Sequence, residues 1–375
     1  MENKNDSTSF TKIVTMLLKK LDIYIIKKFL GTYFFSIVLI LSIAVVFDIN
    51  EKLDKFMNNN APLEAIVFDY YLNFIPYFAN LFSALFVFIS VIFFTSNLAN
   101  NSEIIAMLAS GTSFKRIMRP YMISAGIIAS LTFFLNAFVI PPSNKAMLEF
   151  QKKYTNKKKD IQYARNIQFE VEPGIIAYIS RFEAKENIGY RFSLERFEDK
   201  QLKSRLTAST IQYDSANVWK INNYMIRNFE GMYETIVKGA TIDSTIMMDP
   251  SDMIISEDLS TEMTSPELRR YISKQKKRGM GNLSTFEIEY ARRYARSFSA
   301  FILTVIGLSL ASRKIKGGMG LHLGIGLGLS FSYILFDTIS STFAVNGGMN
   351  IILSVWLPNI VYALIAIGLY KNAPK

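Results

Sequence analysis

The sequence predicts an α-helical integral membrane protein, with six transmembrane helices in a 3+3 arrangement and a β-jelly-roll-like domain inserted between the third and the fourth. Half of the 375 residues are apolar, with 30 Phe and 19 Tyr, a composition that suits lipid better than water. The apolar residues gather in long, nearly uncharged runs toward both ends of the chain, while the middle third is polar and charged, which separates membrane parts from a water-exposed insert. Within that insert the pattern changes to apolar–polar alternation rich in β-branched and aromatic residues, the mark of half-buried strands.

The N-terminal elements follow from charge spacing. From Met16 to Lys28 apolar residues alternate with Lys19, Lys20, Asp22, Lys27 and Lys28, a basic amphipathic lead-in at the interface. Phe29 to Phe47 is uncharged and close to the roughly twenty residues that cross about 30 Å of hydrocarbon. Asp48 to Pro62 reads as a short polar loop. The run from Ile66 to Ser96 exceeds one span and holds Asp69, Asn73, Pro76 and Asn80; its first part reads as kinked or interfacial, and Phe78 to Phe94 as the membrane part. In Asn97 to Pro120 a short helix is expected, with Ile104, Ile105, Met107 and Leu108 on its apolar side and Gly111 as its stop. Tyr121 to Ile140 makes the third span, closed by Pro141 and Pro142.

Asn144 to Lys159 is basic and able to extend that helix. IQFEVEPG, IIAYISRFEA, YRFSLERFED, STIQYDSANVWKINNYMIRNFEG and ETIVKGATIDSTIMM then read as strands, with a turn at Asp214 to Asn217 and Trp219 opening the return strand. Several short strands in succession suggest a sandwich or jelly roll. Thr264 to Gly281 reads as a strongly basic helix. Phe298 to Ser312, Leu321 to Val345 and Ile351 to Tyr370 complete the six spans, separated by the basic loop RKIKGGMG and the neutral loop NGGMN. The expected divisions are residues 1–143 with a cytoplasmic helix at about 101–119, residues 144–265 for the β domain, and residues 266–375 for a basic connecting helix and the last three spans.

Orientation rests on the short loops, where Lys and Arg mark the cytoplasmic side. The N-terminal segment, Lys115 with Arg116 and Arg119, Arg313 with Lys314 and Lys316, and Lys371 with Lys375 share one side in a six-span topology. That side is expected to be cytoplasm, with both termini there and the β domain outside, in a periplasm where the cell has one. The net charge of +11 then belongs to contacts with anionic headgroups rather than nucleic acid. No cleavable signal peptide is expected, because the first apolar run is long enough to span uncut.

Catalytic chemistry lacks its parts. There is no cysteine and one histidine, His322, at the start of a span, where packing is its ordinary role. HExxH, GxSxG and Walker A sequences are absent, so any ATP must be hydrolysed by another chain. Gly320, Gly324 and Gly328 leave one face of the fifth span nearly bare backbone, suited to close helix packing or to sliding. Asp337, within that span, needs a partner, and a hydrogen bond to a nearby Ser or Tyr competes with a functional role. The segment Asn101 to Arg119, headed by Glu103, is on pattern alone either an ordinary interfacial helix or a lever for a soluble motor.

Several pieces in order resemble the LptF/LptG permease family, the membrane part of the ABC transporter that extracts lipopolysaccharide from the inner membrane. They are LDIYIIKKFLGTYF before the first span, NSEIIAMLASGTSFKRIMRP after the second, the central β insert, SPELRRYISKQKKRG before the fourth, and LGIGLGLSFSYILFDTISSTFAVNGGMNIILSVWLPNIVYALIAIGLY at the end. LDIYIIKKF and FDTIS look more like LptG than LptF. The resemblance implies that SEIIAMLASG is a coupling helix docking on an LptB-like ATPase dimer, with Glu103 at the contact and Ala109, Ser110 and Gly111 shaping the turn. It implies a second LptF/LptG-like permease, a periplasmic jelly roll passing lipopolysaccharide to LptC-like and LptA-like proteins, and a lateral gate lined by the first and fifth spans. Asp48, Lys52, Lys55, Gly324, Gly328 and Asp337 are the candidate gate or cavity residues. No cofactor is expected on this chain; ATP and Mg belong to the partner ATPase. Such permeases tend to carry a basic residue at the outer end of the first span, whereas Asp48 stands there, with Lys52 and Lys55 one and two turns later as substitutes. A membrane-anchored envelope scaffold or sensor is the alternative reading, and a polytopic lipid enzyme finds no paired carboxylates or histidines.

Overall fold

The structure is a computed structural model that describes residues 19–155, 163–215, 217–253, 257–278, 283–313, 318–345 and 348–373. Sequence expectations at residues 16–18, 156–159, 216, 279–281, 314–317, 346–347 and 375 lie outside the described residues. In chain order the principal helices are α1 (Lys20–Asn58), α2 (Leu72–Leu81), α3 (Ser83–Asn100), α4 (Glu103–Ala109), α5 (Phe114–Phe134) and α6 (Ile140–Tyr154). Strands β1 (Tyr163–Glu172), β2 (Ile175–Glu183), β3 (Ile188–Glu198), β4 (Gln201–Ser215), β5 (Val218–Glu230) and β6 (Tyr233–Thr245) follow, then α7 (Ser265–Lys277), α8 (Ser284–Ala311), α9 (Gly318–Val345) and α10 (Ile351–Lys371). Two compact units result: Met1–Thr155 with Ile288–Lys375, and Asn156–Glu287.

In the helical unit, six helices among the described residues are long and apolar enough to cross a membrane: Lys20–Asn58, Ser83–Asn100, Phe114–Tyr154, Ser284–Ala311, Met319–Val345 and Ile351–Lys371. The sheet is inserted between the third and the fourth, so the chain is a multi-pass membrane protein of the expected architecture. The core of this unit joins Ile25 and Phe29 of α1, Phe88, Val91 and Ile92 of α3, Tyr121 and Ile128 of α5, and Leu303 and Ile306 of α8.

Element ends differ from expectation in three places, each for a physical reason. Asp48 to Asn58 is helix, not loop. The Asp48–Lys52 pair is spaced i,i+4, as supports a helix, and Phe56 is buried against Tyr70 and Phe150, both at 5.6 Å between rings. The helix stops only at Asn59, followed by Asn60 at φ 51°. The second apolar run enters through a π-helical turn at Ile66–Tyr71, accepts Pro76 inside α2, and breaks at Phe82, where ψ is 13°, so that its membrane-crossing helix is α3. Pro141 and Pro142 do not break the third long helix, which runs on to Tyr154. A π turn at Leu135–Val139 precedes them, and Pro141 falls in the first turn of α6, where a missing N–H costs little.

In the second unit the six strands form one antiparallel sheet in the order β1-β2-β3-β4-β5-β6. This is an up-and-down meander, whereas a jelly roll pairs two sheets through Greek-key connections. Strand β4 starts at Gln201, earlier than expected, and pairs Leu206 with Leu194 and Ile226. The β4–β5 turn lies where Asp214 to Asn217 predicts it, with Ser215 opposite Val218. Ile167, Phe169, Ile179, Phe182, Phe192, Ile211 and Trp219 form the core, and the Trp219 indole N–H donates to the Met248 carbonyl at 3.1 Å. The β5–β6 hairpin reaches past this core: Met232, Tyr233, Ile236 and Val237 are all exposed. There Arg227 pairs with Glu234 and holds that carboxyl below the ordinary carboxylate range. Helix α7 opens with Thr264 capped by Glu267 at 2.7 Å and buries Leu268 and Gln275.

Candidate functional site

Helix α4 is short and entered through Ser102 in the left-handed region at φ 62°. Gly111 closes it at φ +85°, a conformation that costs other L-residues about 1 kcal/mol or more; its N–H donates to the Leu108 carbonyl at 3.0 Å. Ile104 is buried in the helical core. The opposite side, Ile105, Ala106, Ala109 and Ser110, is exposed, and Ile105 keeps 53 % of its surface open. Of the four apolar residues that suit an amphipathic helix here, Ile105 is thus left open; at i+1 from Ile104 it points about 100° away. Ser110 Oγ turns back to the Met107 carbonyl at 2.8 Å.

Glu103 accepts a hydrogen bond from the Tyr24 hydroxyl at 3.4 Å, so the head of α4 touches α1. A stronger tie lies beside it. The Arg116 guanidinium at the start of α5 donates to both oxygens of Asp22 at 2.7 and 2.6 Å, and Asp22 is also the acceptor for the Lys19 N–H at 3.0 Å. Asp22 is 2 % exposed. A fork-to-carboxylate contact of this kind is among the stronger hydrogen-bonded pairs. Asp22 and Arg116 were visible in the sequence only as members of basic segments; nothing in their spacing, 94 residues apart, announces the pair.

At the other end of α1, Asp48 and Lys52 are bound up with each other and with the π turn. Lys52 Nζ lies 2.5 Å from Asp48 Oδ1, donates to the Tyr70 hydroxyl and sits 4.8 Å over the Tyr70 ring. The hydroxyls of Tyr70 and Tyr71 donate to Asp48 at 3.2 and 3.1 Å. Lys52 is thus neutralised in place, and of the two lysines offered as substitutes Lys55 is the exposed one.

The glycines of α9 divide between two faces. Gly326 faces inward, where an added Cβ would overlap Ile92 Cδ1 of α3, and Gly307 of α8 likewise meets Val91 at 2.8 Å. Gly320, Gly324 and Gly328 face outward with nothing within 4 Å of such a Cβ. Their face continues through exposed Phe331, Leu335, Thr338 and Thr342. His322 is buried, and its Nδ1 shares a hydrogen bond of 3.0 Å with Ser96 Oγ of α3.

Asp337 is buried, and among the described residues its carboxylate meets arginines rather than a Ser or Tyr. Arg292 and Arg296 of α8 approach its carboxylate at 3.7 and 3.6 Å. The i,i+4 spacing of these arginines just before the Phe298 run was the available signal. Next to Asp337 a pocket is lined by Asn80, Ser83, Thr132, Arg296 and Tyr333, and Asn80 exchanges two amide hydrogen bonds with Asn136 at 2.8 Å each.

The family model described as "Lipopolysaccharide export system permease LptF/LptG" matches residues 23–372, a range that reaches through both units. No curated protein matches the chain.

Proposed function

The chain belongs to the LptF/LptG family of lipopolysaccharide export permeases, and from that premise we propose that it is one of two permease subunits of an ABC transporter in the inner membrane. The carrying observation is that the family match runs unbroken through helical unit and sheet alike. Lipopolysaccharide enters sideways from the outer leaflet between the first and fifth spans of the two permeases. It leaves by way of the β unit toward LptC-like and LptA-like partners. ATP and Mg are bound by an LptB-like dimer, onto which α4 docks from the cytoplasm with Glu103, Ala109, Ser110 and Gly111. Both termini share that side, and the β unit lies in the periplasm.

Four features of the geometry support this reading. The outward side of α4 offers Ile105 and Ala109 to a groove. The Glu103–Tyr24 and Asp22–Arg116 contacts tie the segment around α4 to α1, so displacement of α4 reaches the helix that lines the gate. The open glycine face of α9 admits a second helix closely. The exposed β5–β6 hairpin leaves β6 as a sheet edge among the described residues, able to pair with another β protein.

The test is ATP-driven release of lipopolysaccharide from vesicles holding the complete complex to a soluble acceptor. Glu103→Lys is expected to cut release at least about tenfold, the effect of losing one charged contact worth ~1.4 kcal/mol. Release that is ATP-independent in the unaltered complex, or unchanged in the variant, would remove the coupling role.

A further inference from the structure

We infer that Arg292 and Arg296, beside Asp337, form the recognition site for an anionic headgroup, a phosphate or an acidic sugar of the transported lipid. Arg292 and Arg296 both turn to the carboxylate of Asp337, while Arg293 on the same helix pairs with Glu289 at 3.2 Å. Neither reaches it at hydrogen-bond length, since 3.6 and 3.7 Å exceed the 2.7–2.9 Å of a charge-assisted bond. Arg292 Nε is buried without an acceptor. A guanidinium whose buried N–H finds no acceptor carries an uncompensated desolvation cost. An anion placed between the two arginines, one helical turn apart, removes that penalty.

The pocket beside Asp337 supplies the polar surroundings, with Asn80, Ser83, Thr132 and Tyr333 near Arg296. It also has an entrance. Thr338, which lines the pocket, is exposed and belongs to the same face of α9 as Gly324, Gly328, Phe331 and Leu335. A lipid lying along that face would set its acyl chains on the apolar residues and its headgroup at the arginines. On α1, by contrast, Lys52 is already neutralised by Asp48, and of its two candidate lysines only Lys55 is exposed. The inference rests on the reading that this permease takes up a lipid.

Binding without ATP separates the two. The complex with its second permease and ATPase is placed in phosphatidylcholine nanodiscs, and affinity for bisphosphorylated lipid A is compared with that for its dephosphorylated form. The unaltered complex is expected to prefer the phosphorylated lipid by about tenfold or more, the equivalent of one charged hydrogen bond. Arg292→Gln and Arg296→Gln should each erase most of that preference. Asp337→Asn should strengthen it, because the competing carboxylate is gone, and this opposite sign cannot arise from misfolding. Equal preference in the arginine variants overturns the inference, as does weaker binding in Asp337→Asn. Displacement of the lipid by excess inorganic phosphate would reassign the site to a free anion and overturn it too. Intact headgroup preference with no ATP-driven release would instead sink the transport reading alone.

Discussion

Asp22 shows how much a single buried carboxylate can organise at the end of a membrane helix. It caps the start of α1 through the Lys19 N–H and grips Arg116 with both oxygens. Removing one partner of a buried pair leaves the other uncompensated and costs about 3 kcal/mol or more; the 27 % exposure of the Arg116 side chain places this pair at the lower end. Asp22→Ala is therefore expected to lower the thermal midpoint of the purified protein. The exchange Asp22→Arg with Arg116→Asp should recover part of the loss, an interaction that a double-mutant cycle reads directly. At this scale the sequence was legible where chemistry is local. Gly111 as a stop needed only its neighbours. Asp48, Lys52 and Asp337 were legible as unusual, and the i,i+4 spacings of Asp48 with Lys52 and of Arg292 with Arg296 were there to read, but that Tyr70 and Tyr71 meet the first pair and Asp337 the second is set by packing between elements.

Helix α9 separates two uses of glycine that its sequence runs together. Gly326 buries its bare backbone on Ile92, so Gly326→Leu overpacks the core and should destabilise the chain by about 1–3 kcal/mol, seen as a lower unfolding midpoint. Gly324→Leu meets open space and should leave that midpoint alone while weakening the pairing of the two permeases, measured by co-purification of the second subunit. Equal destabilisation by both would contradict the assignment of faces. The spacing of four among Gly320, Gly324 and Gly328 gave their shared face, but not whether this chain or another covers it. Helix ends were harder to read than helix identity. The polar stretch from Asp48 to Asn58 looked like loop because hydropathy reports lipid contact, whereas an aromatic cluster at Phe56, Tyr70 and Phe150 keeps it helical. The proline pair after Ile140 looked like a terminus because a π turn, which shifts the hydrogen-bond register ahead of it, has no composition of its own.

The molecule as a whole is two units joined through α6 and α8, and its plan followed from one constraint. Hydrocarbon offers no partner for backbone N–H and C=O, so apolar runs of span length become helices, while an alternating segment must fold in water. That constraint made six spans and an inserted sheet legible before any side chain was placed. The meander order of the sheet was not, because strand count and alternation are the same for a meander and a jelly roll. The central claim is that α4 and the β unit lie on opposite sides of the membrane, one for a motor and one for lipid handover. The chain has no cysteine, so single cysteines can be introduced without background at Met232, fully exposed on the β5–β6 hairpin, and at Ala109 on α4. With a membrane-impermeant maleimide applied to spheroplasts, Met232→Cys is expected to react in intact cells and Ala109→Cys only after lysis. Reaction of Ala109→Cys from outside, with Met232→Cys protected until lysis, would contradict the account.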